Sequence, residues 1–341
     1  MAGGAKRLCS DVMEFVHAAA FLIALGSALA ALASLGGAVS DELDVFAHFT
    51  PVWLAGGGVA LALRVLGPTD GGLATVILAS AAMAICAGLM GPDLLAAATP
   101  VPPAHALASR PMGQTLKLIQ FNLWNLNRDP EGTARWIADE DADVVVLEEA
   151  IGAGARVVAA LAERYPHLAA VARPGRSATM ILAKAAPSAG GELKSPAPGA
   201  LVSGAWATFG AGPAAFTVVG AHYTWPVPAG RQQSQSRRLA ADLDRFDQAS
   251  LIVAGDFNST PWSFCLRRQD ARFGLARRTR ALFTWPAAPF VGGRLTSPVA
   301  FLAIDQVYAG SDWQTVSVKR GPRLGSDHFP VVVVLRRAAG K

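Results

Sequence analysis

The sequence predicts an α/β domain preceded by transmembrane helices, and three observations predict it. The front of the chain carries three long apolar stretches with very few charges. From Leu116 onward, short apolar runs alternate with helical stretches and Gly/Pro loops, the pattern of buried strands in an α/β sheet. One run after another ends in a polar residue, and in α/β sheets strand ends line the ligand crevice.

Composition divides the chain in the same place. The 341 residues are 52% hydrophobic and 16% charged, an unusual balance for a fully soluble protein. Residues 1–114 hold four Lys/Arg and seven Asp/Glu (net −3), and residues 115–341 hold 26 and 18 (net +8), which together give the +5 of the whole chain. A basic second half suits anionic partners: phosphate esters, nucleic acid or anionic lipid. Three cysteines, Cys9, Cys86 and Cys265, supply neither a disulfide framework nor a C-x-x-C metal site.

The apolar stretches run from Phe15 to Val39, from about Phe46 to Leu66, and from Leu73 to about Met90. Each approaches or exceeds the roughly 20 residues that cross a bilayer core. All are rich in Ala, Gly and Leu, which suits close helix packing in a membrane. A cleaved signal peptide is the competing reading of the first stretch, but its apolar run is long and two more follow. Lys6 and Arg7 precede the first span, the next loop carries Asp41, Glu42 and Asp44, and Arg64 lies near the end of the second span. This distribution places the N-terminus inside and, with three spans, the remainder of a multi-pass inner-membrane protein on the extracytoplasmic side. The expected layout is a membrane domain over 1–91, a Pro/Ala-rich linker over 92–114, and an α/β domain over 115–341.

In the second half, strands are expected at Leu116–Phe121, Val144–Leu147, Phe216–Ala221, Leu251–Ala254, Ala303–Tyr308 and Val331–Leu335. Helices are expected at Arg135–Asp141, Val157–Tyr165 and Gln233–Phe246. The strand endings are Asn122, Glu148 with Glu149, His222, and Asp256 with Asn258. Asp305 lies within a strand, and Asp327 and His328 precede the last one. A lone Asp or Asn there is usually a turn former; so many on separate strands point to a site. Six arginines between Leu266 and Leu282 (Arg267, Arg268, Arg272, Arg277, Arg278 and Arg280) read by default as a solvated helical face. His17, His48, His105 and His167 lack motif partners.

At Gln120-Phe-Asn122, Asp143–Glu149, Ala221-His222, Gly255-Asp-Phe-Asn-Ser-Thr-Pro261, Ile304–Val307 and Ser326-Asp-His-Phe-Pro330 the chain resembles the endonuclease/exonuclease/phosphatase (DNase I-like) superfamily. The pieces occur in the family's order. The three-span front and Thr284-Trp-Pro286 to Asp305 further resemble a bacterial membrane-anchored subgroup linked to glycopeptide resistance. The resemblance implies a four-layer α/β sandwich: two mixed sheets packed face to face with helices outside. This chain departs from the family's frequent pattern at Glu148, where glutamine is common, and at Gln306, where histidine is common.

The resemblance also implies roles. Glu149, with Asn122 beside it, holds Mg²⁺, or Mn²⁺, and Asp327 binds a second ion or assists the leaving group; hard oxygen donors suit these ions. Because successive strand side chains face opposite ways, Glu149 is expected in the crevice and Glu148 is expected outside it or behind it. Asp256 orients or deprotonates the attacking water. His222, Asn258 and His328 donate to phosphoryl oxygens, and Asp305 orients His328. Trp124 and Asn125 receive no role. The loops Tyr223–Gly230 and Phe283–Pro298, with Tyr223, Trp225, Trp285 and Phe290, are expected to choose the substrate. The function these features favour is a membrane-anchored, metal-dependent hydrolase of a phosphate ester or pyrophosphate, with a lipid-linked substrate such as polyprenyl pyrophosphate. A nuclease and a non-catalytic membrane sensor or scaffold are the alternatives.

Overall fold

The computed structural model describes residues 2–65, 72–98, 115–172, 178–193, 203–287 and 297–337. The chain forms two compact units. One is Met1–Leu95 with Trp262–Cys265, and the other is Ala96–Pro261 with Leu266–Lys341.

The first unit is helical: α1 (Ala2–Leu35), α2 (Asp41–His48), α3 (Thr50–Val65) and α4 (Leu73–Ala98). Two stretches, Ser10–Ala38 and Leu73–Ala98, are long and apolar enough to cross a membrane. The expected second span is not one straight helix. It is α2 and α3 bent by 59°, and it makes a third span only if that pair counts as one. The sequence explains the break. Pro51 has no N–H to give the Ala47 carbonyl, and the Thr50 hydroxyl donates to that carbonyl instead, at 2.6 Å. Small residues line the helix contacts: Ala28, Ala31, Ala82 and Cys86 form one buried cluster, and Ala24, Ala60 and Ala79 another. α4 continues through Pro92 to Ala98, past the expected start of the linker; most of that linker, including His105, lies outside the described residues.

The second unit contains twelve strands among its described residues: β1 (Thr115–Asn122), β2 (Val144–Glu148), β3 (His167–Ala172), β4 (Ala178–Ala183), β5 (Ala189–Glu192), β6 (Ser203–Phe209), β7 (Phe216–His222), β8 (Ile252–Asp256), β9 (Ala276–Arg277), β10 (Asp305–Ala309), β11 (Trp313–Arg320) and β12 (Val331–Arg337). They form two six-stranded mixed sheets, ordered β11-β12-β1-β2-β4-β3 and β5-β6-β7-β8-β10-β9. Each sheet has a central parallel pair, β1 with β2 and β7 with β8, flanked by antiparallel neighbours.

Helices α5 (Pro130–Glu140) and α6 (Ala153–Ala160) cover the first sheet. Helices α7 (Arg231–Leu243) and α8 (Phe264–Phe273) belong to the second. α5 begins earlier than Arg135 because Asp129 caps it, accepting from Gly132 N at 2.9 Å, and Pro130 suits the first turn.

The layers can be read from the alternation of side chains. Leu116, Leu118, Val144 and Val146 of the first sheet share a core with Val218, Ile252, Ala254 and Val307 of the second. The opposite faces pack on helices: Ile119, Val145 and Leu147 with Ile137 and Val157, and Val219 and Val253 with Leu239 and Leu266. This is the four-layer sandwich. The sheets approach closely at Gly220, where an added Cβ would lie 2.8 Å from Val146 Cγ1 and 3.0 Å from Thr179 Cγ2.

Gly220→Ala is therefore expected to force the sheets apart and to cost about 1–3 kcal/mol, as overpacking of a filled core does. Thermal or denaturant unfolding in detergent checks this, and an unchanged midpoint would contradict the close packing.

Candidate active site

The face that forms the inter-sheet core becomes polar at one end of the sandwich. Along β1 it reads Leu116, Leu118, Gln120, Asn122, and along β2 Val144, Val146, Glu148. Along β7 it ends in His222, along β8 in Asp256, and along β10 it begins at Asp305. Register holds these ends level. Asn122 is opposite Glu148, His222 is opposite Asp256, and Asp256 is opposite Asp305. The loop before β12 adds Asp327 and His328. Ser326 Oγ ties it down, donating to the Asn122 carbonyl at 2.7 Å and accepting from His328 N at 3.0 Å.

Asp256 is the hub. Its Oδ2 accepts from Asn122 Nδ2 at 2.9 Å and from Asn258 Nδ2 at 3.3 Å. The Nε2 atoms of His222 and His328 stand 3.6 and 3.7 Å from the same oxygen. Oδ1 accepts from Asn258 N at 2.8 Å. Burial pushes this carboxyl up to about 6, against the pull of His328, with Asp305 adding to the rise. Behind it, His328 Nδ1 and Asp305 Oδ2 are 2.9 Å apart, so an Nδ1–H donates to the carboxylate. Burial alone would depress the His328 imidazole, but Asp305, Asp256 and Asp327 outweigh it and hold it well above its ordinary range.

A second group lies beside the hub. Asn122 Nδ2 also donates to Glu149 Oε1 at 3.3 Å, and Asn125 N donates to Glu149 Oε2 at 3.2 Å. Asp327 Oδ2 accepts from Trp285 Nε1 at 3.2 Å, while Asp327 Oδ1 is buried with no hydrogen-bond partner. Burial raises the Asp327 carboxyl and the Glu149 charge adds to that rise, so these two carboxylates sense one another. The donors there suit a divalent cation: the orphaned Asp327 oxygen and the Glu149 carboxylate are the hard ligands Mg²⁺ or Mn²⁺ prefers, while Asn122 turns its Nδ2 toward Glu149 and its Oδ1 accepts from Trp124 N at 2.9 Å. The nearest ligand atoms of Asp256, Asp305 and His328 also lie within 4.8 Å of one another, a second group of metal-capable side chains.

All eight residues expected from the sequence (Asn122, Glu149, His222, Asp256, Asn258, Asp305, Asp327 and His328) are thus at one end of the sandwich. Asn258 Nδ2 also donates to the Tyr223 carbonyl at 2.9 Å, so its amide orients Asp256 and the neighbouring loop. Two expectations are corrected, one of them in part. Of the two places expected for Glu148, outside the crevice or behind it, it takes the second: it is fully buried on the inter-sheet face, and Gln120 Nε2 donates to its Oε2 at 2.9 Å. Burial, then Asp305 and Asp256, push its carboxyl well above the usual range. Both glutamates serve this end because Glu149 lies beyond the strand with φ 50°, which suspends the alternation of side chains. Trp124 (φ 57°) and Asn258 (φ 48°) adopt the same rare left-handed backbone at the ends of β1 and β8. Such conformations concentrate at functional sites.

The other correction concerns the arginines, which do not form a solvated face. Arg272 Nη1 donates to Gln233 and Ser236, Arg277 pairs with Asp270, and Arg278 donates to the carbonyls of Ala309, Gly310 and Trp313. Sequence reasoning named Gln120 only as part of a family motif, without a role, and gave Trp124 and Asn125 no place. The period-two reading Leu116-x-Leu118-x-Gln120-x-Asn122 carries the signal for Gln120.

Two mixed sheets packed face to face thus gather carboxylates, amides and imidazoles at the strand ends of one end of the sandwich. Residues 119–328, more than half of the chain, match the model of the Endonuclease/Exonuclease/phosphatase family, and the chain belongs to that family. Its members hydrolyse phosphoester bonds and are usually dependent on a divalent metal. Among solved structures, the fold is similar to an endonuclease/exonuclease/phosphatase from Beutenbergia cavernae, 23% identical, with a TM-score of 0.50, covering 66% of this chain and 72% of that one. It is also similar to sphingomyelinase C from Streptomyces griseocarneus, 19% identical, TM-score 0.50, covering 66% of this chain and 99% of that one. A family protein from Bacteroides thetaiotaomicron is 15% identical, with a TM-score of 0.50, covering 67% and 100%. At these identities the likeness is one of fold. No curated protein matches this chain in sequence.

Mg²⁺ at about 100 times its dissociation constant is expected to stabilise the protein by about 2.7 kcal/mol. The shift in melting temperature should disappear in Glu149→Ala and in Asp327→Ala. A shift that survives both but is lost in His328→Ala would move the ion to the Asp256–Asp305–His328 group.

Proposed function

We propose that this protein is a membrane-anchored, metal-dependent hydrolase of a phosphate ester or pyrophosphate carried on a lipid, such as polyprenyl pyrophosphate, with its catalytic domain on the extracytoplasmic side. The observation that carries the lipid part is an aromatic step leading from the site to the surface. Asp327 accepts from the Trp285 indole, and Trp225 packs edge-on against Trp285 at 5.9 Å while remaining 57% exposed, with Val227 beside it 64% exposed. An apolar group attached to a phosphate held at Asp327 would meet this step. Tyr223, by contrast, is buried against Phe257, and Phe290 lies outside the described residues. The two helices apolar enough to span a membrane support the reading too, since tethering raises the effective concentration of membrane-bound substrates. By its name, the structurally similar sphingomyelinase C acts on a lipid phosphodiester.

Bound by Glu149, Asn122 and Asp327, Mg²⁺ or Mn²⁺ would neutralise charge on the phosphoryl oxygens and on the leaving oxygen. The chain's own residues do the rest. Asp256 accepts a proton from the attacking water, and its raised pKa suits a general base. Asn122 and Asn258 hold the Asp256 carboxylate in one orientation. His328, kept protonated by Asp305, and His222 donate to phosphoryl oxygens. A nuclease is less well supported, because Arg272, Arg277 and Arg278 are committed to internal partners instead of a phosphate-binding surface. A scaffold would not need the complete acidic, amide and imidazole set.

Full-length protein in detergent with Mg²⁺ is expected to release phosphate from polyprenyl pyrophosphate, and His328→Ala is expected to lower kcat about 10²- to 10⁴-fold. No release by folded wild type would sink this substrate. Trp225→Ala should raise KM for the lipid-linked substrate while leaving a water-soluble phosphodiester unaffected; equal losses on both would remove the lipid role from that surface.

A further inference from the structure

We infer that Gln120 is a positioning residue for His328, acting through Asp305 and itself held by Glu148. This rests on the phosphoesterase reading above. Gln120 is fully buried on β1, in the first sheet, and Asp305 is the first residue of β10, in the second. Gln120 Nε2 donates to Asp305 Oδ1 at 2.8 Å and to Glu148 Oε2 at 2.9 Å, so its amide bridges two carboxylates and joins the sheets at their polar end. In this orientation Nε2 serves both acidic groups, and Gln120 Oε1 is buried without a hydrogen-bond partner.

The Asp305 carboxylate is then fixed at both oxygens: Oδ1 by Gln120 and Oδ2 by His328 Nδ1 at 2.9 Å. It cannot rotate without giving up one of two buried, charge-assisted hydrogen bonds. The imidazole inherits that constraint, and its Nε2 stands 3.7 Å from Asp256 Oδ2, facing the reacting centre. Glu148 completes the series from the other side, anchored opposite Asn122 in the β1–β2 register. The series Glu148–Gln120–Asp305–His328 therefore crosses from one sheet to the other and ends at the group that meets the phosphate. Removing the amide should loosen the aim of His328 without touching the substrate-binding surface.

The test compares full-length wild type, Gln120→Met and Gln269→Met in detergent. Gln269 is a control for the loss of a buried amide away from the site, where it donates to Tyr308 Oη at 3.2 Å. Two readouts are taken: kcat and KM for phosphate release, and the imidazole ¹⁵N resonances of His328, assigned with His328→Ala. Gln120→Met is expected to lower kcat about 10- to 100-fold, to leave KM within about twofold, and to move the His328 resonances. Gln269→Met is expected to lower the melting temperature while its kcat and the His328 resonances stay at wild-type values. The inference is overturned if Gln120→Met keeps wild-type kcat, or if its kcat falls only in the measure that Gln269→Met also loses. If wild type hydrolyses no phosphoester offered, the hydrolase reading fails and the resonances still decide: unmoved His328 signals in Gln120→Met overturn the positioning role, and moved signals uphold it.

Discussion

The buried carboxylate of Asp256 is the constraint on which the rest of the site depends. An anion taken out of water must be matched by donors, or it destabilises the fold. Here the matching groups come from four places in the chain: Asn122 at the end of β1 and Asn258 two residues beyond Asp256 donate hydrogen bonds, and the imidazoles of His222 at the end of β7 and His328 before β12 stand at ion-pair distance. None of the four is near another in sequence, and only Asn258 is near Asp256. They meet because the strands that carry them are held in register at one end of two packed sheets. The same arrangement that satisfies the carboxylate puts two imidazoles and a base around one point, which is what phosphoester hydrolysis needs. Stability and chemistry are served by one set of contacts.

The sandwich produces that end by a change in composition along a single face. Side chains from both sheets fill the inter-sheet core with Leu, Val, Ile and Ala, and the same face then runs out into Gln120, Asn122, Glu148, His222, Asp256 and Asp305. The polar groups therefore inherit the rigidity of the core. Left-handed backbone at Trp124, Glu149 and Asn258 follows the ends of β1, β2 and β8. Through the Asn122 amide, the hub and the Glu149 carboxylate share one hydrogen-bonding side chain, so the group suited to a cation and the group suited to proton transfer are coupled.

Much of this was legible in the sequence, for identifiable reasons. Continuous apolar runs such as Val144–Leu147 mark buried strands, and their polar endings locate the site. Ordered motifs around Asp256 and His328 point to the family. Three features were harder to read. Alternation was expected to separate Glu148 from Glu149, yet the positive φ of Glu149, a backbone property, brings both to the same end. Gln120 looked like part of a strand because its partners, Glu148 and Asp305, are distant in the chain. The arginines around Arg277 suggested an exposed basic face, whereas the carbonyls and carboxylates they bind are visible only once the sheet is assembled. In the first unit, the break between α2 and α3 turns on Pro51, one residue within a mainly apolar run.

The proposed division of labour across the site is the central claim: Glu149, Asn122 and Asp327 would hold a cation, while Asp256, His222 and His328 would face the attacking water and the phosphate. Its most direct test is a crystal structure of the protein with Mn²⁺ and inorganic phosphate, in which the anomalous signal locates the ion. We expect the peak against Glu149 and Asp327, with the phosphate between it and the imidazoles of His222 and His328. A peak held instead by Asp256, Asp305 and His328 would contradict this division, since the groups assigned to the water and the phosphate would then be occupied as metal ligands.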